Sequence, residues 1–260
     1  MNPSRSYSYA NEYPDGRVEI TYGNEYKLMI SSSRGPILLD APFERVRCTR
    51  IVLRMDPDGE GRIDGTLEEF AAAYRPGPIL PVAVCTQRAE NGFTEFLEGY
   101  PECGPDYAAT REMCAFVNWA SVVGPSGHHV RPAMYMSKNW MTQIWCWDRC
   151  FNVVALAQRN PSFALEQLRT FFDHQHPSGC LPDCFNDRLI TWDYVKTPLE
   201  GWAIQYLLTH GDAIGTEAWN ELYDPLCRWT RWWLEDRDYD RDGIPQYNSG
   251  LDSGWDNNSV

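Results

Sequence analysis

Lys138-Asn139-Trp140-Met141-Thr142-Gln143-Ile144-Trp145-Cys146-Trp147-Asp148-Arg149-Cys150-Phe151-Asn152 is the stretch around which the rest of the chain can be ordered. It sets three tryptophans, Trp140, Trp145 and Trp147, ahead of an acidic–basic pair, Asp148 and Arg149. An indole face stacks on the flat apolar side of a pyranose, and a carboxylate accepts hydrogen bonds from two neighbouring hydroxyls. Any single tryptophan here is more often core. The cluster, followed at once by the charged pair, points to a sugar.

Working outward, a helix is expected to start near Asp148, whose side chain could cap the first turn. Phe151, Val154 and Leu156 carry that helix to Asn160. Asn160-Pro161-Ser162 then reads as a cap with proline at the first helical position, opening a helix to about His174. Pro198 opens a helix over 199–210 that Gly211 closes, and 216–235 is the longest helix, with Pro225 as a candidate kink. Trp229, Trp232 and Trp233 fall at helical spacing and read as core rather than as a sugar platform. Upstream, apolar spacing predicts a helix over 106–123. Loops enter new helices near Asp148, Pro198 and Asp256, at spacings of 50 and 58 residues. This suggests an array of helical hairpins with site-bearing loops on one face.

The first 104 residues have another texture. Residues 1–15 read as a loose lead-in. Val18, Ile20 and Tyr22, then Tyr26, Leu28 and Ile30, alternate around Gly23-Asn24, a hairpin signal. Val46–Met55 predicts a strand, and Pro81–Thr86 is a further candidate. Fold class is therefore expected to be mainly α, preceded by a β-rich region over 1–104.

The totals bound the function. With 260 residues the chain can bury a sizeable core. Eleven tryptophans are an enrichment that fits carbohydrate binding as well as a bulky helical core. A net charge of −13 repels phosphate backbones and anionic lipid heads, so neither nucleic acid nor a membrane is an expected partner. There is no apolar h-region after a basic start, and no run of about 18 apolar residues. A soluble, cytoplasmic protein is the expectation. Nine cysteines without a CxxC pair suggest free, mostly buried thiols.

Leu251-Asp252-Ser253-Gly254-Trp255-Asp256-Asn257 is the second informative stretch. Gly254 allows close approach of backbone to ligand, and Trp255 could dry the surroundings of Asp256. Drying a carboxyl raises its pKa, as a general acid working near neutrality requires.

Taken together, 138–141, 144–148 and 151–152 resemble the entry to the catalytic domain of glycoside hydrolase family 63 and the mannosylglycerate hydrolases. More distantly they resemble the trehalases. Gln175, 179–183, 196–198, 201–202 and 251–256 are similar to later site loops of those proteins. The resemblance covers about 105–260 and is silent on 1–104. It implies an (α/α)6 toroid and an inverting glycosidase acting on an α-linked glucoside or other small saccharide, without a cofactor. Asp256 would be the general acid. Trp147 and Asp148 would hold the ring, with Arg149, Trp145, Gly254, Trp255, Lys196 and Thr197 as further substrate contacts. Thr197 stands where relatives often have Gln, and Leu251 where several have Trp or an acidic residue. The general base of relatives is a Glu far beyond the acid, so this chain is expected to be the first part of a truncated toroid that lacks it. Neither Glu200 nor Asp252 is favoured as a substitute. Saccharide binding without chemistry is the alternative.

Three metal readings are weaker. Asp56-Pro57-Asp58-Gly59-Glu60-Gly61 resembles a calcium loop, but its twelfth position is Leu67; Asp238-x-Asp240-x-Asp242-Gly243 does too, but reaches Ser249 there. Polar turns are expected at both, a weak calcium site being the alternative at the second. Asp173, His174 and His176 with Cys180 and Cys184 have zinc-ligand chemistry, but a substrate-side loop with buried thiols is the preferred reading.

Overall fold

A computed structural model describes residues 7–23, 26–211 and 215–255. The chain divides into two compact units, 1–89 and 90–260.

In the first unit, β1 (Ser8–Glu12), β2 (Val18–Tyr22), β3 (Tyr26–Arg34) and β8 (Asp64–Phe70) form an antiparallel sheet in the order β1-β2-β3-β8. The β2–β3 pair is the hairpin expected from the alternation, in the register Val18↔Ile30 and Tyr22↔Tyr26. Val18, Met29 and Ile30 are buried. Ser8–Glu12 is not a loose lead-in: it pairs with β2, where one free edge could accept it. The strand expected over Val46–Met55 is broken. β4 (Ile37–Asp40) pairs with β7 (Val52–Met55), and β5 (Phe43–Glu44) with β6 (Arg47–Cys48).

Pro81–Thr86 is not a strand but the entry to α1 (Val82–Glu98). The β-branched start of this helix hides its periodicity. Phe93, farther along it, meets Phe116 and Trp119 of α2 (Ala108–Ser121), with ring centroids 5.6 and 5.5 Å apart. The predicted 1–104 region thus contains both a sheet and a helix.

In the second unit, β9 (Val122–Val123) pairs with β10 (Ala133–Met134). Next come β11 (Ile144–Trp145), α3 (Asp148–Leu156) and α4 (Pro161–Phe172). β12 (Cys184–Phe185) and β13 (Ile190–Thr191) complete a small sheet with β11. α5 (Glu200–His210), α6 (Thr216–Asp236) and the single turn α7 (Gly250–Ser253) follow. Asn160 caps α4 as expected, its side chain accepting from the Phe163 N–H at 3.3 Å, with Pro161 at the first position. Asp148 is not a cap. Trp147 occupies that position and Asp148 is the first helical residue, an acidic group in the first turn, where the helix dipole favours negative charge.

α3, α4 and α5 share one apolar core, with Cys150, Val153, Leu156, Leu165, Leu168, Ala203 and Leu207 buried together. A second core gathers Ile144, Phe171, Leu181, Phe185, Trp229 and Trp233 beneath the β11–β13 sheet. Trp229 and Trp233 are core residues, as their spacing suggested.

Candidate active site

At the centre of the helical unit lies a fully buried ion pair. Arg149 Nη2 donates to Glu200 Oε1 at 2.8 Å, and both side chains are 0% exposed. The other Arg149 donors reach the carbonyls of Cys146 (3.0 Å), Gln167 (3.2 Å) and Leu168 (2.8 Å). Glu200 Oε2 accepts from the Trp229 indole N–H at 2.8 Å, and Oε1 also accepts from the Cys146 thiol at 3.2 Å. This corrects the expectation for Arg149. Its guanidinium is committed inward and knits α3, α4 and α5, so it has no face left for substrate. Glu200, committed in the same way, is not free to activate a water.

Around this pair sit the side chains that could meet a ligand. Trp145 and Asp148 line one cavity of about 150 Å³ with Asn118 and Asn152, small beside the roughly 300–1,000 Å³ usual for ligand pockets. Trp147 is not part of that lining, but its side chain hydrogen-bonds the Asp148 carboxyl. Gly254, at φ +75°, is packed so tightly on its indole that a Cβ there would lie 2.5 Å from Cη2 and 2.7 Å from Cζ2. Trp147 also meets Phe151 edge-on, at 6.5 Å between ring centroids. The two stretches singled out from the sequence are thus brought into direct contact.

Lys196 and Thr197 join them. Lys196 Nζ donates to the Leu251 carbonyl and lies 3.4 Å from Asp183 Oδ1. The Thr197 hydroxyl shares a hydrogen bond with the Tyr247 hydroxyl at 2.8 Å. Asp252 is 0% exposed; its Oδ2 accepts from Arg237 Nη1 at 3.1 Å and from the Asn248 N–H at 2.7 Å. Asp252 is thereby removed as a substitute base. Trp255 is 71% exposed, so the drying expected of it is not seen. Asp256 lies outside the described residues. Arg237 is not singled out from sequence, and Asp183 and Asp252 are seen there only as members of the loops over 179–183 and 251–256, Asp252 as a substitute base that is not favoured. Their one sequence signal is position, each lying within or just ahead of a loop that carried a motif.

Burial raises the pKa of Asp148, against its own backbone N–H and the Lys196 charge, and raises that of Asp183 against Lys196. A carboxyl with a raised folded-state pKa binds more protons folded than unfolded. Its contribution is complete below the unfolded value, about 3.9, and is lost as pH rises through the folded-state pKa. The stability difference between Asp148→Asn and the native protein should therefore move in the variant's favour from about pH 4 to pH 7 in denaturant melts. An unchanged difference would show that the Asp148 carboxylate is not desolvated. Burial also pushes the Cys180 and Cys184 thiols up to about 12, and Cys146 and Cys150 well above the ordinary range, so none of these is a nucleophile near neutrality.

For a metal, Asp238, Asp240 and Asp242 bring carboxylate oxygens within 4.8 Å of one another. The same oxygens close the turn: Asp238 accepts from the N–H groups of Asp242 (3.0 Å) and Gly243 (2.9 Å), and Asp242 from Ile244 (2.8 Å). Asp58 likewise closes its own turn, accepting from the Glu60 and Arg62 N–H groups at 2.8 and 3.0 Å. The zinc-type set is dispersed, with Asp173 paired to Arg131, His174 bonded to the His128 carbonyl and His176 to Ser178.

Residues 141–260 match the family of mannosylglycerate hydrolase MGH1-like glycoside hydrolase domains. The resemblance to the mannosylglycerate hydrolases drawn from the motifs stands over that part of the chain. By structure, the chain is similar to the GH63 mannosylglycerate hydrolase from Thermus thermophilus, solved in complex with Tris and D-glycerate. The match covers 55% of this chain and 37% of that one, at 22% identity and a TM-score of 0.48. No helix among the described residues is long and apolar enough to cross a membrane.

Proposed function

We propose that residues 105–260 form the first part of an (α/α)6 glycosidase domain that hydrolyses, with inversion, an α-linked glucoside or other small saccharide. The observation that carries this reading is the seating of Gly254 on the Trp147 indole. It brings the sugar-holding pair Trp147–Asp148 beside the turn that leads into Asp256. In this mechanism Trp147 stacks on the ring at the cleavage point. Asp148, partly desolvated, accepts from its hydroxyls. Asp256 protonates the leaving oxygen, and a second carboxylate activates water about 6.5–9.5 Å away. Neither Glu200 nor Asp252 serves as that second carboxylate, since each is buried against an arginine.

That last point favours one other reading, saccharide binding without hydrolysis. The two separate in one experiment. A panel of small α-glycosides is incubated with the native protein and with Asp256→Asn, following both release of reducing sugar and binding by calorimetry. The glycosidase reading expects hydrolysis in the native protein, a fall of about 10²-fold or more in the variant, and binding retained. Full activity in Asp256→Asn would remove the assigned acid, and binding without turnover by the native protein would select the alternative.

A further inference from the structure

The short turn α7 is fastened from two sides by cations that are themselves almost sealed from solvent. On one side Arg237, 5% exposed, holds Asp252 and so ties the turn to the end of α6. On the other, Lys196, 8% exposed, donates to the Leu251 carbonyl and faces Asp183, which is 4% exposed. Its neighbour Thr197 bonds Tyr247, so two consecutive residues reach across to 247–251. Lys196 lies in the segment entering α5, and α5 packs on α3, the helix that Trp147 caps. Arg237 therefore anchors the turn to α6, while Lys196 relates it to Trp147.

From this we infer that Lys196 is a positioning residue: its ammonium, neutralised by Asp183, holds the 247–255 segment in register so that Gly254 seats on Trp147. The inference rests on reading that segment as the acid-bearing loop. The physical ground is the cost of a buried charge. A buried ammonium needs its partners kept in place, because losing either one leaves a charge uncompensated. The Leu251 carbonyl is one of those partners. Moving the turn away would strip Lys196 of it, so the burial of Lys196 and the position of the turn are coupled. Sequence alone suggested that Lys196 touches substrate. Its burial and its two partners assign it to holding the turn instead.

The test is hydrogen–deuterium exchange on the full chain, native, Lys196→Met and Lys196→Arg. Methionine keeps most of the apolar stem and removes the charge; arginine keeps the charge. In Lys196→Met, amides of 247–255 should exchange about tenfold faster or more, while those of α3 and α4 change less than about twofold. Lys196→Arg should restore most of the protection. On any glycoside the native protein turns over, Lys196→Met should lower kcat about tenfold or more with KM within about twofold, and arginine should recover part of it. Unchanged exchange in 247–255 would overturn the inference. So would acceleration spread equally over α3 and α4, or an arginine variant no better than methionine. The exchange arm needs no substrate. Absence of hydrolysis by the native protein would therefore count against the glycosidase reading and leave the clamp to be judged on exchange.

Discussion

Replacing Glu200 with alanine is expected to cost about 3–5 kcal/mol of folding stability, because it strands the Arg149 guanidinium in a site that excludes water. That is a large share of the about 5–15 kcal/mol on which a domain of ordinary stability rests. The loss should be greater than for a cavity of the same size alone, since Trp229 Nε1 and the Cys146 thiol also lose their acceptor. Removing both charges with an apolar pair, Arg149→Met with Glu200→Leu, should recover most of it. Urea melts of the three proteins check this. A loss under about 1 kcal/mol in Glu200→Ala would mean that water reaches the pair.

The second large effect is expected at Gly254. At φ +75° an L residue is strained by about 1–2 kcal/mol before any contact is considered. The added methyl would sit 2.5 Å from the Trp147 ring, far inside the about 3.5–4.0 Å at which carbon atoms rest. Either the indole tilts or the turn lifts, and both undo the junction between the two motifs. Gly254→Ala should therefore weaken saccharide binding about tenfold or more, with the helical circular-dichroism signal intact. Ser253→Ala, which loses the hydroxyl's bonds to the Gly250 carbonyl and from the Trp255 N–H but adds nothing against the indole, is the control. Equal affinity of the two variants for the same sugar would show that contact between Gly254 and Trp147 does not shape the site.

Features of the sequence that turned out legible are those decided within a few residues. Asn160-Pro161 is a cap because the cap is a local device. Val18–Ile30 is a hairpin because alternation and turn chemistry agree. Gly254 invited close approach, and the indole it meets is one of the three that opened the reading. What escaped depends on partners far along the chain. Arg149 looked like a substrate residue because it follows Trp147-Asp148; only Glu200, 51 residues on, decides that it points inward. The partners of Lys196 are hidden for the same reason, its carbonyl acceptor lying 55 residues away. Ser8–Glu12 became a strand because the β2 edge was there to receive it, which nothing in its own polar composition reveals. Val82–Glu98 shows the same limit, with aromatic packing overriding a start rich in valine.

The Arg149–Glu200 pair also constrains how such a chain can change over generations. Loss of either charge alone leaves its partner stranded, so single substitutions at these positions pass through a poorly folded ancestor. Drift there should be concerted, both charges surviving together or giving way together to apolar side chains. Two sites separated by 51 residues would then be inherited as one character.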